Sequence, residues 1–200
     1  MLDFDKDAPP PQTTVAALRQ MWEIVQIKHA TGFEHHATPL LDAFRKTYSN
    51  GGAEFAVFDV VGNSDFKFFM ATHSWDLIEL PENVLKSRAF TGALPMLGQG
   101  QINDSFGFKR SSEFTVAGEI AETLAIGGAY DAHSKGAADA YRTAEEFRNS
   151  LFGDRFDDML VLWSAKAWCS WFCDVAWDHT WLFVDKRRSQ VSILAVTDTD

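Results

Sequence analysis

Histidine is the side chain best suited to proton transfer or metal binding near neutral pH, and one of the six in this chain stands in a setting unlike the others. His179 follows Asp178 and lies between Trp177 and Trp181, with Asp198 further along the chain. An imidazole held by a carboxylate is the orienting half of many catalytic sites. A nucleophile is the missing half. Ser170 or Cys173 would serve only if a neighbouring strand brought one of them alongside. Three roles stand open for His179: a structural histidine satisfied by Asp178 or Asp198, a polar anchor inside a binding surface, and a catalytic base. The structural role is the expectation.

The remaining chemistry is sparse. His29, His35 and His36 fall near one another with Glu34, a spacing that permits metal binding but does not require convergence. We read them as surface histidines, and His73 and His133 as isolated ones. Cys169 and Cys173 have no C-x-x-C spacing and no second ligand pair, so there is no zinc motif. On a strand they would lie about 13 Å apart, beyond disulfide reach, and two buried reduced thiols are expected. No phosphate loop, nucleophile elbow, metalloprotease helix or calcium loop occurs. The Gly98-Gln99-Gly100 turn lacks the third glycine and the lysine that phosphate binding would need. No metal and no cofactor is expected.

His179 belongs to the C-terminal quarter of the chain, where five of the seven tryptophans and both cysteines are found. Two runs rich in Val, Ile, Leu and aromatics flank Lys186-Arg187-Arg188-Ser189, which reads as a β-hairpin with a solvated basic tip. With that loop, Asp185 opposes Gln190, and the pairs run back as Phe183–Ser192, Trp181–Leu194, His179–Val196 and Trp177–Asp198. Alternation then sorts the side chains onto two faces. Leu182, Val184, Val191, Ile193 and Ala195 make a core face, with Thr180 and Thr197 toward one end. Trp177, His179, Trp181, Phe183, Leu194, Val196 and Asp198 make the other, which is a second buried face or a binding surface. Trp177, His179, Trp181, Phe183 and Asp198 form the candidate binding patch.

Upstream, residues 1–12 read as a flexible acidic and proline-rich arm. A helix capped by Thr13 or Thr14 follows, with Val15, Leu18, Met21, Trp22, Val25 and His29 on one stripe. Thr38-Pro39 opens a second helix that ends at Asn50-Gly51-Gly52. Residues 54–61 and 66–72 read as two strands around Gly62-Asn63-Ser64-Asp65. Residues 80–112 predict short elements, with one helix near 82–90. Two amphipathic helices are predicted at about 113–126 and 135–152. The absence of βαβ alternation predicts an α+β fold: a mainly antiparallel sheet with an aromatic-rich C-terminal meander and about four helices packed on one side. No domain boundary stands out, so residues 13–200 read as a single domain, with glycine-rich 98–107 the weakest point.

Composition bounds the function. An apolar share of 46% with 23% charged residues is that of a globular protein, and the aromatic share of 14% favours thick sheet packing or an aromatic interaction surface. A net charge of −10 disfavours nucleic acid and anionic membranes as partners. No stretch reaches the roughly 20 apolar residues of a membrane span. The acidic start is unlike a secretory signal, so a cytoplasmic location is expected. The leading expectation is a small acidic non-enzymatic binding protein that engages a basic partner protein through its aromatic surface, in the manner of an inhibitor or immunity protein. The alternatives are an enzyme or small-ligand-binding domain with a site around His179, and self-association through the aromatic face.

Overall fold

The computed structural model describes residues 9–98, 102–103 and 105–200. Of the expected N-terminal arm, residues 1–8 lie outside the described residues and 9–12 carry no regular structure. Gln99 and Gly100 of the glycine turn also lie outside them.

Six strands form one antiparallel sheet: β1 (Gln26–His29), β2 (Gly52–Val61), β3 (Lys109–Ser111), β4 (Met159–Ser164), β5 (His179–Asp185) and β6 (Gln190–Thr197). Their order in the sheet is β1-β2-β6-β5-β4-β3. The C-terminal hairpin is therefore at its centre. Its register is the one that alternation predicts: His179 opposes Val196, Trp181 Leu194, Phe183 Ser192 and Asp185 Gln190. The β5–β6 ladder stops at His179, so Trp177 and Asp198 do not extend it.

Eight α-helices lie among the described residues, and they cover both faces rather than one. The cause is legible in the central strands. Six of the seven β5 residues are buried, on alternating sides, so a second layer is needed to exclude water from each face. Leu182, Val184, Val191, Ile193 and Ala195 pack under α1 (Val15–Ile24), α3 (Ser64–Ala71), α4 (Leu80–Leu85), α5 (Arg88–Ala93) and α6 (Pro95–Gly98). Trp181, Phe183, Leu194 and Val196 pack under α2 (Thr38–Thr47), α7 (Val116–Ile126) and α8 (Ala137–Leu151). Phe147 of α8 meets Phe55 and Phe183 edge-on, at centroid distances of 5.6 Å each.

Several local readings change. The stripe assigned to one long N-terminal helix breaks at Val25, and Gln26–His29 pairs with Phe58–Val61 as an edge strand. Residues 66–71 lie in a helix that Thr72 caps, rather than in a strand. The Asn63 side chain caps the Phe66 N–H at 3.1 Å, and Phe66, Phe69 and Met70 share one buried helical face. Ala37, not Thr38, is the N-cap of α2; the Thr38 hydroxyl donates to the Glu34 carbonyl instead. Residues 165–178 form turns rather than strand, which leaves Cys169 buried and Cys173 exposed, both unbridged. The basic tip is only partly solvated. Lys186 is 9% exposed, and its Nζ donates to the Asp157 carbonyl at 2.7 Å and reaches His73 Nε2 at 3.0 Å.

Candidate functional site

The aromatic face of the hairpin is closed by α2, α7 and α8 except at one end, where β4 finishes and β5 begins. Trp163 of β4 directly opposes Trp181 of β5, and His179 lies two residues before Trp181, so all three side chains leave the sheet on the same side. His179 is stacked on both indoles, with interplanar angles of 29° to Trp163 and 23° to Trp181. This aromatic wall borders a cleft of about 630 Å³. Across from it, α7 presents Glu119, Glu122, Thr123 and Ile126, a spacing that puts four side chains on one helical face. Trp177, Tyr48 and the edge strand β3, through Lys109, Arg110 and Ser111, complete the lining.

The hydrogen bonds in the cleft are mostly internal to the protein. Trp163 Nε1–H donates to His179 Nδ1 at 3.3 Å, an arrangement that assigns the ring proton of the neutral imidazole to Nε2. Burial holds the His179 pKa below the usual histidine value, against the opposing pull of the Asp178 charge and the Ala176 backbone. The Ser111 hydroxyl donates to the Glu119 carboxylate, as does that of Thr115 at 2.9 Å. Tyr48 is 1% exposed, and its hydroxyl donates to the Thr123 carbonyl at 3.4 Å. Burial and the neighbouring Asp198 raise its pKa, so it remains a phenol. One group stands apart. Trp181 is 1% exposed, and its Nε1–H has no acceptor among the described residues.

The candidate patch divides. Trp177, His179 and Trp181 come together in the cleft. Phe183 lies deeper, 1% exposed against Phe147, and Asp198 is fully buried. Asp198 does not hold His179: its Oδ1 accepts the Asn50 N–H at 2.9 Å and its Oδ2 the Ala129 N–H at 2.8 Å. Gly128 allows that second approach, since a Cβ there would collide with the Asp198 carboxylate. Asp178 does not hold the imidazole by a hydrogen bond either; it accepts from the Thr197 hydroxyl at 2.6 Å and from the Val175 N–H at 3.0 Å. The carboxylate-bound histidine expected from the sequence is replaced by an indole-bound one. Neither Ser170 nor Cys173 lines the cleft.

A histidine–carboxylate pair does occur elsewhere, between His133 Nε2 and Asp139 Oδ2 at 2.9 Å, where it ties the loop before α8 to its first turn. The His35 and His36 rings lie 4.0 Å apart by centroid, tilted by 37°. Among the described residues no three His, Cys, Asp or Glu side chains converge as a metal site. Sequence reasoning missed Trp163 and the α7 side of the cleft. The 119-122-123-126 spacing was there to be read as a helical face, whereas the opposition of Trp163 and Trp181 depends on a pairing between strands separated by the 165–178 loop. No family model, no curated protein and no solved structure matches this chain.

Proposed function

We propose that this chain is a small-molecule-binding protein whose ligand lodges between α7 and the Trp163–His179–Trp181 wall. The observation that carries this reading is a concave cleft of about 630 Å³ walled by the Trp163, His179 and Trp181 rings, with the imidazole stacked on both indoles. Cavities of that size, mostly apolar with a few polar groups, are the usual setting for small ligands. Binding is favoured over turnover, because Trp163 occupies the basic nitrogen of His179 and no carboxylate orients the ring. The reading of the aromatic face as a docking surface for a basic protein, or for a second copy, has weaker support. Trp181 and Phe183 are each 1% exposed and add no contact area. No helix among the described residues is long and apolar enough to cross a membrane, and two free thiols fit a reducing compartment such as the cytoplasm.

The test uses N-phenyl-1-naphthylamine, an uncharged fluorescent probe, with a set of neutral bicyclic fragments followed by ligand-observed NMR. Saturable binding at one site per chain is expected. Ile126→Arg, placed at the cleft on a residue 67% exposed, should weaken it at least tenfold with the far-UV circular dichroism unchanged. Undiminished affinity in that variant, or no saturable binding of the probe or any fragment, overturns the reading.

A further inference from the structure

The charges around the aromatic wall bear on the class of ligand, a step that rests on the binding reading above. Strand alternation sorts them. Arg110 opposes Leu162, which belongs to the core on the far side of the sheet, and its guanidinium lies 3.8 Å from Glu113. Lys109 opposes Trp163 and therefore leaves the sheet on the cleft side. From α7 the cleft receives two carboxylates, Glu119 and Glu122. Glu119 is held by the Ser111 and Thr115 hydroxyls, which carry no charge of their own. Neither Glu122 nor Lys109 has an ion-pair or hydrogen-bond partner among the described residues. Two carboxylates thus line the cleft against one ammonium, and no cation of the protein pairs with either of them.

The wall opposite favours the same sign. An indole face is negative, and tryptophan is the side chain that attracts a cation most strongly. Trp163 and Trp177 are part-exposed in the lining. The imidazole between Trp163 and Trp181 adds no positive charge near neutral pH, because burial lowers its pKa and Trp163 donates to its Nδ1. The net charge of −10 enriches cations around the whole chain. An anion would meet indole faces and two carboxylates with Lys109 alone to pair with, and an uncharged ligand would leave Glu122 unmatched. We infer that the cleft takes an organic cation, a quaternary or protonated amine on an apolar body, with its charge shared by the Trp163 and Trp177 indoles and the Glu122 carboxylate.

The experiment measures displacement of N-phenyl-1-naphthylamine from the whole chain at low ionic strength by three ligands of one shape. They are benzyltrimethylammonium, its uncharged carbon counterpart neopentylbenzene, and the anion phenylmethanesulfonate. The cation is expected to bind about tenfold more tightly than the uncharged ligand, and the anion most weakly. In Glu122→Gln, a change at an exposed position, the cation should lose about threefold and neopentylbenzene nothing. Glu146→Gln removes an equal charge from the exposed side of α8, outside the lining, and should leave the cation's affinity unchanged. A cation bound no more tightly than neopentylbenzene, an undiminished cation affinity in Glu122→Gln, or an equal loss in Glu146→Gln overturns the ligand class and leaves the cleft a binding site. The same holds if the anion binds best, or if the fluorescent probe binds saturably and none of the three displaces it. Failure of the probe and of all three ligands to bind overturns the binding reading itself and this inference with it.

Discussion

His179 is held by an indole rather than by a carboxylate, and this determines how it responds to pH. Burial lowers its pKa from the ordinary 6.5, so below that pH the unfolded chain takes up a proton that the native chain refuses. The unfolded state then binds more protons, and stability must fall as pH falls from 6.5 toward the lowered native value. Burial also lowers the pKa of His36 and His73, so the wild-type loss is shared. His179→Ala is expected to cost about 1–3 kcal/mol at pH 7.5, because it strips the Trp163 N–H of its acceptor and empties the space between two indoles. Urea unfolding at pH 7.5 and 5.5 should also show a smaller acid loss in the variant than in wild type. Equal stability at pH 7.5, or an unchanged acid loss, would refute this account. The sequence placed His179 correctly on the aromatic face but chose the wrong partner for it. Asp198 lay within diagonal reach, yet backbone donors 148 and 69 residues away claim both of its oxygens.

Among the elements, the segment between β4 and β5 departs most from its sequence pattern. Its tryptophans and cysteines suggest a strand, but residues 165–178 fold as turns, with Trp168 fully buried and its Nε1–H donating to the Thr180 hydroxyl at 2.9 Å. The two thiols consequently differ. Burial raises the pKa of Cys169, whereas Cys173 is exposed. Native protein treated with a thiol reagent at pH 8 should label Cys173 quickly and Cys169 only on unfolding. Two fast or two slow thiols would contradict the turn geometry. The helix α3 carries the same lesson: its phenylalanines suggest a strand, and what makes the segment helical is the Asn63 cap and the three-and-four spacing of Phe66, Phe69 and Met70. Composition alone pointed the other way because β propensity mostly measures packing on a half-buried surface, which an aromatic helix face supplies equally well.

At the scale of the molecule, a six-stranded sheet is buried between two helical layers, with its hairpin in the middle. Strand β5 is paired on both sides by β4 and β6, and β6 by β5 and β2, while β1 and the three-residue β3 are edges. Hydrogen exchange should therefore be slowest at residues 181–184 and 191–195, where opening requires global unfolding, and faster at 26–29 and 109–111, which fray locally. Comparable protection at the centre and the edges would exclude this topology. The sequence by itself determined the hairpin, its register and the division of its side chains into two sets, because strand alternation is a local property with a period of two and a one-residue slip would mix the sets. It also carried the α+β class, since helical and strand periods do not alternate as βαβ units along the chain. Tertiary structure alone decided that both faces are covered, that Trp163 stands opposite Trp181, and that α7 closes one wall of the cleft while leaving its mouth open. Those features depend on contacts between segments far apart in the chain, and their geometry follows from the order in which strands meet, which no local pattern of residue types encodes.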